Sequence, residues 1–168
     1  MGGPSGAQGN SATERVRSAL AERGLDAQIV EFPESTRTAQ EAARAVGGTV
    51  GQIVKSLVFI ADARPVLALA SGANRVDVGK LARLAGATRV AKATAEETRE
   101  ATGFSIGGVP PLGHPTPLAV FLDETLLHHD VVYAAAGTPH AVFAVDPRAL
   151  ARVVRATVAD IAEASVAR

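Results

Sequence analysis

The chain has 168 residues, 47% of them hydrophobic, and its 17 Lys and Arg are balanced by 17 Asp and Glu. This length suits one domain with its own core, and zero formal charge argues against a broad electrostatic grip on nucleic acid, which needs many phosphate contacts. With no cysteine, thiol nucleophiles, disulfides and cysteine-ligated zinc are excluded. No apolar run reaches the ~18 residues of a membrane span, and the first residues lack the basic-then-apolar order of a signal peptide, so the cytoplasm is the expected compartment.

Residues 1–10 are rich in Gly, Ser, Pro and Gln without an apolar period, and are expected as a disordered tail ahead of one domain over residues 11–168. Ser11-x-x-Glu14 has the form of a capping box, in which a hydroxyl and a carboxylate satisfy the free amides of a first helical turn. That helix is predicted to end near Arg23, because Gly24 can take the left-handed conformation that follows a last turn. Residues 28–32 read as a short strand closed by Pro33. A second capping box, Thr38-x-x-Glu41, opens a helix that stops at Gly47-Gly48. Residues 53–61 and 65–70 are apolar strands joined by a hairpin turn.

Asp77 then caps a helix with Val78, Leu81 and Ala85 on one face. Residues 88–91 form a short strand, and Thr94-x-x-Glu97 is a third capping box for a helix ending at Gly103. Residues 103–117 form a long loop with many Gly and Pro. Strands follow at 118–122 and 131–135, with a short helical turn between them, and at 141–145. Asp146-Pro147 opens a last helix, Asp as cap and Pro at the first helical position. No repeat is present, and helices and strands mix without strict alternation. A mixed sheet flanked by helices is therefore expected rather than a doubly wound parallel one.

Lys55 is the most unusual residue. Side chains alternate along a strand, so Lys55 shares one face with Ile53, Leu57 and Phe59, while Val54, Val58 and Ile60 occupy the other. A charge on a strand apolar on both faces is costly unless it reaches a cleft or an anion. The alternative is a lysine near the strand start that extends to solvent. The loop Gly107-Gly108-Val109-Pro110-Pro111-Leu112-Gly113 is the second feature. Glycine permits close backbone approach and proline stiffens the chain; together they could hold N–H groups toward a developing oxyanion, or form an ordinary rigid turn. No Gly-Lys-Ser/Thr follows, so it is not a phosphate-binding loop of the P-loop kind.

The histidines give little. His128 and His129 are adjacent and point apart. His114 follows the glycine loop and His140 follows Gly137-Thr138-Pro139; each is read as a surface residue or a pocket wall. No metal-ligand spacing occurs, so no metal is expected. Ser71 and Ser105 lack a nucleophile-elbow context. Residues 75–92 hold Arg75, Lys80, Arg83, Arg89 and Lys92 against Asp77 alone, which suits either an RNA backbone or a solvated helix face.

Together, Lys55-Ser56-Leu57-Val58-Phe59 and the glycine–proline loop resemble the YbaK/EbsC-type family, related to the editing domain of bacterial prolyl-tRNA synthetase. Thr38-Ala39-x-Glu41-Ala42-Ala43 resembles the segment before the lysine strand, and Ser71-Gly72-x-x-Arg75-Val76-Asp77 the segment after it. Ala101-Thr102-Gly103-Phe104, Leu122-Asp123 and Gly137-Thr138-Pro139 follow in the same order. The likeness covers roughly residues 29–154.

The resemblance implies an α+β fold, a single domain with a curved mixed sheet, and no metal or organic cofactor. It implies hydrolysis of the ester between an incorrect amino acid and tRNA. Lys55 would position the tRNA 3′ end, and the backbone of Gly107 and Gly108 would act at the ester. Thr38, Ser56, Ser71, Gly72, Val109, Pro110, Pro111, Asp123, Gly137, Thr138 and His140 would bind substrate. Arg75 and Lys80 would contact tRNA. The attacking water would be assisted by the substrate's own ribose hydroxyl, which fits the lack of a convincing protein base. A lysine is a compact charge suited to phosphate.

The partner implied is the acceptor end of an aminoacyl-tRNA, with a synthetase as a further partner and no membrane. Ser56 stands where some relatives carry Thr or Asn. The diproline and Gly137-Thr138-Pro139-His140 also depart from subgroups, so alanine, serine, threonine and cysteine esters all remain candidates. A non-catalytic module binding aminoacyl-tRNA or a synthetase is the alternative reading, and a hydrolase of small esters or amides a third.

Overall fold

Residues 53–61 form the strand around which the rest is arranged. The computed structural model describes residues 4–164, with side chains from residue 11 onward. Strand β2 (Ile53–Ala61) runs antiparallel to β3 (Arg64–Ser71), in register from Val54↔Ser71 to Ala61↔Arg64. The turn between them puts Asp62 at φ 56°, a conformation Asp tolerates better than most residues. Its carboxylate accepts from the Thr88 and Arg89 amides, tying the hairpin tip to the later chain.

The other strands are β1 (Ile29–Glu31), β4 (Val90–Lys92), β5 (Ala119–Asp123), β6 (Val132–Ala135), β7 (Ala141–Val145) and β8 (Thr157–Ala159). They form one eight-stranded sheet in the order β1-β7-β6-β2-β3-β5-β8, with β4 on β2 beside the main path. The pairs β2–β6, β3–β5 and β5–β8 are parallel and the remainder antiparallel. The sheet is thus mixed, as expected.

One face of the sheet carries Val54, Val58, Leu67 and Leu69, which are buried with Val16 and Leu20 of helix α1 (Pro4–Glu22) and Leu150 of α5 (Pro147–Val153). The other carries Phe59, Ala61, Val66 and Ala68, packed on Leu81 of α3 (Val78–Ala85). Helix α2 (Ala39–Val46) places Ala42 and Ala43 against Ile53. Burial of these side chains contributes roughly 25 cal/mol per Å² of apolar area removed from water.

The capping boxes at Thr38 and Thr94 both form, the latter starting α4 (Ala95–Thr102). Asp77 and Asp146 cap as the sequence suggests. Three expectations differ. Helix α1 begins at Pro4 rather than Ser11; proline fits a first turn, and Ser11 then lies inside the helix, where it cannot cap. Of the tail expected over residues 1–10, residues 1–3 lie outside the described residues and residues 4–10 are helical. Strand β8 was not anticipated, and it extends the sheet beyond β5.

The two edges of β2 differ, and this places the site. One edge is covered by β3 along its length. The other is shared: β6 pairs with Ile53 and Val54, and β4 with Phe59 to Ala61. The Ala93 amide donates to the Val58 carbonyl at 3.0 Å and extends the β4 cover by one residue. Residues 55–57 therefore face an opening that runs from Val54 to Val58, about 13 Å at 3.3 Å per residue.

Candidate functional site

Lys55 is the first residue of β2 beyond the cover of β6. Half-buried, its ammonium donates to the main-chain carbonyl of Asn74. Asn74 is itself held, its Nδ2 donating to Asp123 Oδ2 at 2.9 Å and Thr125 Oγ1 at 3.0 Å. Asp123 is 1% exposed. Its carboxylate accepts in addition from the Ser71 amide, the Thr125 amide and the Thr125 hydroxyl, at 2.8–3.1 Å, so the buried charge is well satisfied. Ser71 Oγ donates to the Gly51 carbonyl at 2.9 Å. At Gly72 a Cβ would lie 2.5 Å from the Val50 carbonyl oxygen, so only glycine fits this turn.

Burial, and then the neighbouring positive charges of Arg75 and Lys92, hold the Lys55 proton affinity below that of an ordinary lysine, while Asp123 acts the other way. An anion arriving beside Lys55 would favour the charged form again.

The opening in the β2 edge is the floor of a cavity of about 590 Å³. Arg37, Lys55 and Lys92 line it, and no Asp, Glu or His does. Hydroxyls come from Thr36, Thr38, Ser56 and Tyr133. At the end covered by β6 the walls are apolar: Ala39, Ala42, Ile53, Val54, Ala135 and Val142. Val58 turns its carbonyl to the open edge. Main-chain groups alternate between edges along a strand, so Ser56 directs its own N–H and C=O there too, in the interval that β6 and β4 leave uncovered. Its side-chain oxygen is buried without a hydrogen-bond partner.

The glycine–proline loop closes the cavity from the α1 side of the sheet. Gly107, at φ 95°, and Val109 line it. Gly108 does not. A Cβ on Gly108 would lie 2.7 Å from both the Gly137 carbonyl oxygen and Thr138 Cα, so the two loops pack backbone against backbone. The Gly108 amide donates to the Ser105 carbonyl at 3.0 Å, which commits this N–H to the loop's own turn rather than to an oxyanion. Pro110 and Pro111 are buried behind Val109. The Pro110 carbonyl accepts from His114 Nε2 at 2.8 Å. Because a carbonyl only accepts, this assigns the proton to Nε2. Burial lowers the His114 proton affinity and favours the neutral ring. His114 meets Phe104 edge-on, and the Arg15 guanidinium stacks 4.3 Å from the Phe104 ring centre, so α1 braces the loop.

Of the residues singled out from sequence, Thr38, Lys55, Ser56, Gly107 and Val109 meet in one cavity. Ser71, Gly72 and Asp123 lie behind Lys55 as its mount. Gly108, Pro110, Pro111, Gly137 and Thr138 form the packing behind the loop wall. His140 sits outside, its amide donating to Thr138 Oγ1 and its ring beside the Phe32 carbonyl. Arg75 is exposed and acts on Lys55 through charge. Lys80 is bonded to the Asp160 carboxylate and the Ala162 carbonyl, both at 2.7 Å, so its charge is already engaged. Arg37, Lys92, Ile106 and Tyr133 line the cavity without having been singled out as site residues. Lys92 was visible as part of a basic segment, and Tyr133 as the chain's lone tyrosine.

Comparison with known proteins gives a consistent picture. The profile of the family described as "Aminoacyl-tRNA editing domain" matches residues 33–153. A crystal structure of a protein proposed as a trans-editing enzyme for prolyl tRNA synthetase is 53% identical, with a TM-score of 0.87, covering 91% of this chain and 98% of that one. The uncharacterized protein YwhH of Bacillus subtilis (strain 168) is 29% identical over 136 residues, 80% of this chain and 86% of its own length. A proline–tRNA ligase of Nitratidesulfovibrio vulgaris (strain DP4) is 33% identical over 105 residues, 62% of this chain but only 18% of the ligase. Among the described residues no helix is long and apolar enough to cross a membrane.

Proposed function

The chain belongs to the aminoacyl-tRNA editing domain family, and from that premise we propose that it is a trans-editing hydrolase that cleaves the ester of mischarged aminoacyl-tRNA. The observation that carries this reading is the cavity itself, in which three cations and no carboxylate adjoin a small apolar recess. Such a site suits a ligand with phosphate at one end and a small side chain at the other.

Lys55 holds the phosphate of the terminal nucleotide, and its mount on Asn74 fixes where the ribose comes to rest. The amino-acid side chain lies in the recess made by Ala39, Ala42, Ile53 and Val142. Val109 and the Gly107 backbone close over the ester. Water adds to the ester carbonyl, and the bond from the acyl carbon to the ribose oxygen breaks. The proton lost by water passes to the ribose oxygen that leaves. With no Asp, Glu or His in the lining, the neighbouring ribose hydroxyl relays that proton, and the protein contributes mainly position and fixed dipoles.

The recess is small, and a cavity discriminates poorly between side chains that differ by one methylene. Alanine, serine, threonine and cysteine esters are therefore the substrates to test. In single-turnover deacylation of tRNA carrying each of these, the wild type should release at least one amino acid well above the uncatalysed rate, and Lys55→Ala should return it to near that rate. If both proteins match the uncatalysed rate for every ester, the chain is a binding module and not an enzyme.

A further inference from the structure

The cavity has a direction. Along β2 the apolar recess lies where β6 covers Ile53 and Val54, and Lys55 stands next in sequence. At the far end β4 brings Lys92 opposite Phe59. Phe59 is four residues beyond Lys55, or about 13 Å along the strand. Lys55 is fixed on Asn74, but the exposed Lys92 side chain is long enough to span part of that gap and reach a phosphate adjacent to the one at Lys55.

Lys92 is exposed, lines the cavity, and has no carboxylate within 4.0 Å among the described residues. Beside it stands Ile106, 54% exposed although apolar, on the loop that leads into Gly107. A free ammonium beside an open apolar side chain offers a nucleotide both of its surfaces, the phosphate and the face of the base. Lys80 offers no such site, because Asp160 already neutralises it.

We infer that Lys92 binds the acceptor-strand phosphate next upstream of the one held by Lys55, so that the RNA enters over the β4 end of the cleft and the amino acid lies at the β6 end. This rests on the proposed reading of the cleft as an aminoacyl-tRNA site and gives it a polarity. Arg37 provides the counter-case. It precedes the N-cap of α2, at the β6 end, and its Cγ lies 3.6 Å from where a Gly107 Cβ would be. Were the strand to enter there, Arg37 and not Lys92 would read the upstream phosphate.

The test uses three hydrolysis-resistant 3′-aminoacylamido ligands: adenosine, the dinucleotide CpA with one internucleotide phosphate, and the trinucleotide CpCpA with two. Binding to the full chain is measured by titration calorimetry at several salt concentrations. Wild type should gain affinity at each added phosphate. Lys92→Ala should lose several-fold on CpCpA, clearly more than on adenosine or CpA, and flatten the salt dependence on CpCpA by about 0.7 in the logarithmic slope. Lys55→Ala should already lose the gain from adenosine to CpA. Melting temperatures of both variants establish that they are folded.

Equal CpCpA affinity for Lys92→Ala and wild type overturns the inference, as does a selective loss in Arg37→Ala. Neither result touches the proposed hydrolysis, which the deacylation panel decides separately. Conversely, a chain that binds the three ligands in the expected order but releases no amino acid keeps the polarity and loses the enzyme.

Discussion

The buried carboxylate of Asp123 is joined to Lys55 by hydrogen bonds through Asn74: it accepts from the Asn74 side-chain amide, and the Asn74 main-chain carbonyl accepts from the Lys55 ammonium. The cleft's central cation is thus mounted on a polar network rooted at the end of β5, not on the glycine–proline loop that lines the same cavity. Asn74→Ala keeps the carbonyl but frees it from Asp123 and Thr125. The expected outcome is a fall of about tenfold in deacylation, of the size that a small misplacement near the chemistry can produce, with a loss of about 1 kcal/mol in urea unfolding. Asp123→Asn strips a buried acceptor from several donors at once and should cost more in stability, about 1–3 kcal/mol. Wild-type activity in a folded Asn74→Ala protein would show that the mount has no positioning role.

A second prediction concerns alkaline pH. Lys55 carries a proton less readily than an ordinary lysine, whose value is 10.5, because it is partly buried and because Arg75 and Lys92 add positive charge nearby. If the ammonium is the working form, enzymatic deacylation declines as pH rises through a value below 10.5. Removing a neighbouring positive charge raises the affinity for that proton, so in Lys92→Ala the decline should move to higher pH. The pH profile of single-turnover rates, corrected for spontaneous ester hydrolysis, checks this. A decline that does not move in Lys92→Ala would mean that another group sets the alkaline limb.

What the sequence made visible is what short-range chemistry decides. Thr38, Asp77, Thr94 and Asp146 act as caps because a cap needs only a side-chain acceptor within three residues of free amides. Lys55 stood out because its strand is apolar on both faces. The opening beside it was not legible, since it depends on where two distant short strands, β6 and β4, stop along one edge. For the same reason Lys92 could not be separated from the other cations of its segment: its place follows from pairing with Phe59, not from its neighbours in sequence. Lys80 looked free because its partner Asp160 lies 80 residues later. Strand β8, Thr-Val-Ala, is too short to show an alternating pattern.

The packing of the two loops makes a third prediction. Gly108→Ala puts a methyl group 2.7 Å from backbone atoms of Gly137 and Thr138, and backbone yields less easily than a side chain. Overpacking of this kind costs roughly 1–3 kcal/mol. The Gly107 and Val109 wall should move with it, so deacylation should fall further than the stability loss explains at a temperature where the variant remains folded. Thermal unfolding together with single-turnover rates checks this. An active variant of unchanged melting temperature would mean that the loops are not in contact.

The last prediction follows from His114, which closes the glycine–proline loop on itself through the Pro110 carbonyl. Burial is the larger influence on this ring and lowers its proton affinity from the ordinary value of 6.5, against the opposing effect of the bond to Pro110. Since the folded state holds that proton less tightly than the unfolded chain, the unfolded state binds more protons as pH falls below 6.5. Stability from the neutral ring is therefore complete above 6.5 and declines as pH falls toward the lower folded value, levelling off beneath it. His114→Gln retains an N–H donor for Pro110 but does not titrate, so the slope of unfolding free energy against pH just below 6.5 should flatten relative to wild type. Urea unfolding at several pH values measures that slope for both proteins. Parallel slopes would exclude His114 as its source.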